Sequence, residues 1–291
     1  MSVQTSGCKS AAAKPQTSGH SAGRGIIALG ATLALGGVMA RVAVVLAFVT
    51  SFGAVVVAVL LARGSYEGPH PPLELVPSLT ASALAWGAGV LLAFASALQA
   101  LLRDRDQGIR QLVRMRGASA SSYVRARIAG LALVLFIVTG AGVLLTGIAS
   151  MLAARQPGLV FDVAQATIAS LVYAAGFAAV MAPIAVAALG ARSRAGGYFG
   201  LLVFIFLPEL LLGWSRQLLP RAWGELGSIP SALAALRGSL MPNQFDLERL
   251  LRAAIVLGLV ATVALVYVGR QVSRVDNERI APARGERERG R

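Results

Sequence analysis

VAVVLAFVTSFGAVVVAVLLA, residues 42–62, runs for twenty-one positions without a charge and is closed by Arg41 before it and Arg63 after it. An α-helix rises 1.5 Å per residue, so about 20 apolar residues cross the roughly 30 Å hydrocarbon core of a bilayer. In lipid, a helix also satisfies every backbone polar group within itself. This stretch therefore predicts a membrane-spanning helix, and the chain repeats the pattern. Six apolar runs have suitable length: 42–62, 79–102, 128–154, 164–190, 196–214 and 250–268.

Composition supports the same reading. The 291 residues are 56% hydrophobic and only 14% charged, and the mean hydropathy is +0.69. Soluble domains carry about 25% charge, so this chain cannot cover a surface that faces water. The predicted fold is an all-α polytopic membrane protein with six spans. A single domain over 25–270 lies between a disordered tail, 1–24, and a charged tail, 271–291. Residues 25–40 (GIIALGATLALGGVMA) are interrupted by Gly36-Gly37 and closed by Arg41. They read as an interfacial helix leading into span one. Segment 215–249 is semi-apolar and cut by Pro220, Pro230 and Pro242, which predicts re-entrant or surface-lying short helices before span six.

The inventory excludes much chemistry. Cys8 is the single cysteine, so neither an intrachain disulfide nor a cysteine metal cluster can form. His20 and His70 have no second ligand at metal-binding spacing. The stretch GCKS at 7–10 ends like a phosphate loop, but Val3 and Cys8 stand where that motif needs glycines. The chain thus shows no phosphate loop, and no cofactor of its own is expected.

The net charge of +14 reads as an orientation signal. With six spans and an inner N-terminus, 20 of the 27 Lys and Arg residues fall on inner segments and 7 on outer ones. Positive residues concentrate on the cytoplasmic side, where anionic lipid complements them. Both termini are therefore predicted in the cytoplasm, with the chain in the plasma membrane (a bacterial inner membrane) and lipid, not nucleic acid, as the partner of its charge.

The densest patch of charge between the two tails is RDRDQGIRQLVRMRG, residues 103–117, on the inner side between spans two and three. Ile109, Leu112, Val113 and Arg116 share one helical face, while Arg103, Asp106, Arg110 and Arg114 lie near the other. The pattern predicts an amphipathic helix along the membrane, ended by Gly117 and by Ser119, Ser121 and Ser122. Tyr123, Arg125 and Arg127 follow at the interface. A solvated basic loop that only fixes topology is the plainer alternative.

The segment from Asp104 to Val113 resembles the pattern E-R-x-x-G-T-x-x-L-L, which marks the loop between spans two and three in type-2 ABC exporter permeases. By this resemblance Asp104 stands for the acidic residue, Arg105 for the arginine, Gly108 for the glycine, Ile109 for the threonine, and Leu112 and Val113 for the leucine pair. Arg125 or Arg127 would be the basic residue that opens span three. Asp replaces Glu, Ile replaces Thr, and Arg116-Gly117 stands where a proline is usual. The resemblance implies a coupling helix docked on a separate ABC ATPase subunit, with ATP and Mg on that partner, and a second permease subunit completing a homo- or heterodimer. The interface residues would be Asp104, Arg105, Asp106, Gly108, Ile109, Arg110, Leu112, Val113, Arg114 and Arg116. The chain itself would not be an enzyme. Another exporter class has the inner loop R-E-x-G-I-x-x-x-x-x-G-A-S; here Gly108-Ile109 and Gly117-Ala118-Ser119 stand further apart than that pattern allows.

Few polar residues fall within the apolar runs. Glu209, in FLPELLLGW, is a carboxylate at membrane depth, a functional candidate by default, although Pro208 and a nearby surface also fit an interfacial role. Gln99 and Gln165 are candidates for a translocation path or for interhelical bonding. The small-residue runs Gly140-Ala141-Gly142 to Gly147 and Ala174-Ala175-Gly176 suit close helix packing. Tyr66, Trp86, Trp214 and Trp223 suit an aromatic belt at the outer interface. Two other functional classes fit the composition: a non-catalytic membrane scaffold whose arginine loop recruits a soluble partner, and a membrane-embedded lipid-modifying enzyme. The second would need convergent polar groups at one depth.

Overall fold

The computed structural model describes residues 19–64, 72–98, 100–101, 104, 108–109, 115, 119–154, 156–190, 205, 207, 209–210, 223, 226–241 and 245–277. Among these residues there is no strand. The elements are α1 (Gly19–Leu35), α2 (Val38–Arg63), α3 (Leu75–Ala97), α4 (Ala120–Ala153), α5 (Pro157–Leu189), α6 (Ile229–Gly238) and α7 (Leu247–Asn277). Helices α2, α3, α4, α5 and α7 are long and apolar enough to cross a membrane, and the chain is an all-helical protein with five such helices among the described residues. They coincide with five of the six apolar runs. Of the remaining run, 196–214, only Ile205, Leu207, Glu209 and Leu210 are described, and all four are helical.

Local chemistry sets the helix ends. Gly37 is extended (φ −89°, ψ 151°) and separates α1 from α2 at the predicted glycine pair. Ser119 caps α4, its hydroxyl accepting from the Ser122 amide at 3.2 Å. The serine cluster that reads as the end of the loop helix is thus the start of the next span, because a serine oxygen satisfies free amides at a helix N-terminus. Pro157 opens α5, where its missing N–H costs nothing. Ser228 and Ser231 form a reciprocal capping box on α6. Helix α1 begins at Gly19, inside the stretch predicted as a tail, and α7 continues to Asn277.

Helices α4 and α5 form the centre and α3 lies against both; α1 and α2 pack on α4, and α6 and α7 on α5. Phe177, Leu84, Leu92, Leu135 and Met181 fill the core. The buried face of α2 holds only Ala40, Ala43, Ala47, Ser51 and Ala58, while Val45, Phe48, Val49, Phe52 and Leu60 face outward. Helix α7 likewise turns Leu251, Ile255, Leu259 and Val263 outward. Small residues inside and large apolar residues outside is the arrangement of a bundle solvated by lipid. The glycine runs serve this packing: a Cβ on Gly142 would strike Ser51 and Leu84, and one on Gly147 would strike Thr167.

Three contacts mark one end of the bundle. The Leu101 amide donates to the Gly190 carbonyl at 3.1 Å, Gln271 Nε2 donates to the Ala187 carbonyl at 3.2 Å, and Arg127 meets Asp104. This is the loop end, where 103–117 emerges. At the far end, Gln165 Nε2 donates to the Leu240 carbonyl at 3.2 Å. Leu233 and Leu236 reach Gly176, deeper along α5, so α6 runs antiparallel to α5. Ile229, Ala232, Leu233, Ala235 and Leu236 of α6 are buried. The short helix of segment 215–249 therefore lies within the bundle and not along its surface.

Helix α3 contains one π turn, Ala85–Gly89. Trp86 sits in it and turns into the bundle, edge-on to Phe177 with ring centres 5.6 Å apart at 77°. The belt position predicted for Trp86 is overturned by this inward packing. Trp223 is partly exposed; Tyr66 and Trp214 lie outside the described residues.

Candidate functional site

The loop end is built around Asp104. Its Oδ2 lies 3.0 Å from Arg127 Nε and accepts a hydrogen bond from Tyr123 Oη at 2.9 Å. Asp104 is 1% exposed and Arg127 8%. Tyr123 and Arg127 stand four positions apart on the first turns of α4, so one helical face offers a hydroxyl and a guanidinium to one carboxylate. A buried charge is tolerable only when paired and hydrogen-bonded, and the Asp104 carboxylate meets that condition through Arg127 and Tyr123. The sequence places Tyr123 and Arg127 at a wet interface; the structure buries both, because Asp104 folds back onto them. Asp104 accordingly anchors this point of the chain to α4 and faces inward.

Arg127 Nη1 is buried without a hydrogen-bond partner. It borders a cavity of about 10 Å³ lined by Gly30, Ala34, Ser96, Leu131 and Val186, the space of roughly one water molecule. Helix α1 closes this region from the side. A Cβ on Gly130 would stand 2.8 Å from the Ala31 amide nitrogen and 2.9 Å from the Ile27 carbonyl, so α1 crosses α4 with backbone against backbone. Ser96 Oγ donates to the Ala34 carbonyl at 2.8 Å and ties α3 to α1.

Beyond Asp104, Gly108 has φ +70°, a left-handed conformation that glycine adopts without strain. Asp104 lies in a helical turn before it, and Ile109 and Met115 are helical after it. A single helix across 103–117 is therefore not what forms: the turn at Gly108 divides it. Ile109 packs against the core, as its place on the apolar face predicts, and Met115 is 75% exposed. Arg105, Asp106, Arg110, Leu112, Val113, Arg114 and Arg116 lie outside the described residues.

The membrane-depth candidates separate. Gln165 bonds the end of α6 to α5, an interhelical role. Glu209 Oε2 accepts from Ser228 Oγ, which places its carboxylate at the N-terminus of α6, where the helix dipole favours a negative charge. Gln99 lies outside the described residues. A second polar cluster escapes sequence reasoning. Arg237 Nη1 donates to the Ser78 carbonyl at 2.6 Å and to Ser82 Oγ at 2.8 Å. Its guanidinium carbon is 5.1 Å from the centre of the Tyr173 ring, and Trp86 Nε1 donates to Tyr173 Oη at 2.8 Å. The available signal was Arg237 as the one charged residue of a ten-residue helix. No group of three or more metal-ligating side chains occurs among the described residues.

Compared with protein-family models, with curated proteins and with solved structures, the chain finds no match in any of the three.

Proposed function

We propose that the chain is the membrane-spanning permease subunit of an ATP-driven exporter of the type-2 ABC class. In this reading 196–214 is the fifth of six spans, α6 is a re-entrant helix before span six, both termini are cytoplasmic, and a second permease subunit completes the substrate path. A separate ABC ATPase, carrying ATP and Mg, docks on residues 105–116. One observation supports this most directly: the loop that resembles a coupling helix is anchored inside the bundle at Asp104 and exposed at Met115. A lever needs both properties. A docked partner can move α4 only through a loop that does not slip on it, and a buried ion pair resists slippage because separating it leaves an unpaired charge in an apolar interior. An energy source must also bind two states of the bundle differently, and this chain has no phosphate loop with which to do so alone.

The test is affinity purification in a mild detergent of the wild type beside an Arg110→Glu/Arg114→Glu/Arg116→Glu variant, with mass spectrometry of the co-purifying proteins. An ATPase recovered with the wild type and lost with the variant is the expected result. If neither recovers an ATPase, the permease reading loses its energy source and the scaffold reading replaces it.

A further inference from the structure

Between the far ends of α2 and α4 lies a groove of about 410 Å³, lined by Val59, Ala62, Arg63, Ala149, Leu152 and Ala153. Its walls are apolar, and Leu152 at its rim is 83% exposed. Arg63, exposed in the last turn of α2, is its one ionised group and has neither an ion pair nor a hydrogen bond to another side chain among the described residues. The groove lies where α2 and α4 end; with both helices across a bilayer, its mouth meets lipid headgroups and its floor meets acyl chains.

We propose that this groove binds one glycerophospholipid, its phosphate held by Arg63 and an acyl chain lying along Val59, Ala149 and Leu152. The guanidinium matches a phosphate with two parallel hydrogen bonds, and a chain laid against the apolar wall removes Leu152 and its neighbours from contact with headgroup water. The charge pattern favours lipid over a second copy of the protein. Neither α2 nor α4 contains an acidic residue, so the α2 and α4 faces of a docked copy would bring Arg63 no carboxylate. The proposal requires α2 and α4 to cross the membrane but is independent of any ATPase.

Native mass spectrometry of the full chain, purified in a phosphate-free detergent, tests it with three probes: palmitoyl-oleoyl-phosphatidylglycerol, the diacylglycerol with the same tails, and inorganic phosphate. Retention of one phosphatidylglycerol per chain is expected, with neither the diacylglycerol nor phosphate retained. Arg63→Ala and Ala149→Phe should each weaken retention about tenfold, the scale of one charge-assisted hydrogen bond, while Arg252→Ala leaves it unchanged. Helical content by circular dichroism shows that each variant is folded. Equal retention of the diacylglycerol, retention of phosphate alone, a dimer in place of a lipid adduct, or undiminished binding by both folded groove variants overturns the proposal.

Discussion

Arg237 places its guanidinium carbon 5.1 Å from the centre of the Tyr173 ring, and the same ring's hydroxyl accepts the Trp86 indole N–H at 2.8 Å. One tyrosine therefore joins α6 to α3 through two different faces of its chemistry. Arg237→Leu removes two charged hydrogen bonds and the cation–π contact together, and should destabilise the fold by about 2 kcal/mol. Tyr173→Phe keeps the ring under Arg237 and removes the hydroxyl that accepts from the indole and meets Ser82, for about 1 kcal/mol. Unfolding by SDS titration of reconstituted protein ranks the variants. A Tyr173→Phe loss as large as that of Arg237→Leu would sink this division of labour.

At the loop end the expected pattern is non-additive. Asp104→Asn takes the carboxylate from the buried Arg127 guanidinium and should cost about 3 kcal/mol, and Arg127→Met removes the same contact from the other side. The double variant should cost clearly less than the sum of the two, since both single variants lose one shared interaction. The same SDS titration measures this cycle. Additive losses would mean that the pair is not an energetic unit.

Gly130 is required by the crossing of α1 over α4. Gly130→Ala puts a methyl group against backbone atoms of Gly30 and Ala31, which cannot rotate away, and overpacking of this kind costs about 1–3 kcal/mol. Helix α1 should lift from α4 and become more sensitive to added protease. Gly53→Ala, where a Cβ meets nothing within 4 Å, is the control. Unchanged proteolysis of α1 in the folded Gly130→Ala protein contradicts the close crossing.

Five of the six apolar runs were legible as long apolar helices, because crossing a bilayer demands that length. Residues 42–62 read as a span and α2 occupies Val38–Arg63; 128–154 reads as a span and α4 occupies Ala120–Ala153. The extra turns at helix ends were not legible, since polar residues can extend a helix beyond lipid without an apolar signal, as Ser119 and Ser122 do. The Gly36-Gly37 break was legible from residue type alone. The ion pair was not. Asp104 and Arg127 are separated by a loop, and nothing in the charge pattern distinguishes an arginine that faces water from one folded over by a neighbouring carboxylate. Arg237 was hidden for a related reason: counted on an outer segment, it became one of seven charges there, and only α6 packed into the bundle gives it Tyr173 as a partner. The amphipathic pattern put Ile109 on the apolar face of the loop, and Ile109 packs on the core, but the pattern could not reveal the turn at Gly108, because a glycine that tolerates a helix and one that interrupts it are the same letter.

The π turn at Ala85–Gly89 sets the phase of α3. Each residue of an α-helix advances the side-chain direction by about 100°, and the extra residue of a wide turn offsets everything after it. Upstream, Leu84 and Ala81 face the core; downstream, Leu92, Ala93 and Ala97 do so as well. Without the widened turn one of these two sets would be rotated towards lipid. Helix α3 thus behaves as two segments with separate angular settings, and the setting of the second decides which side chains of 90–97 meet the core.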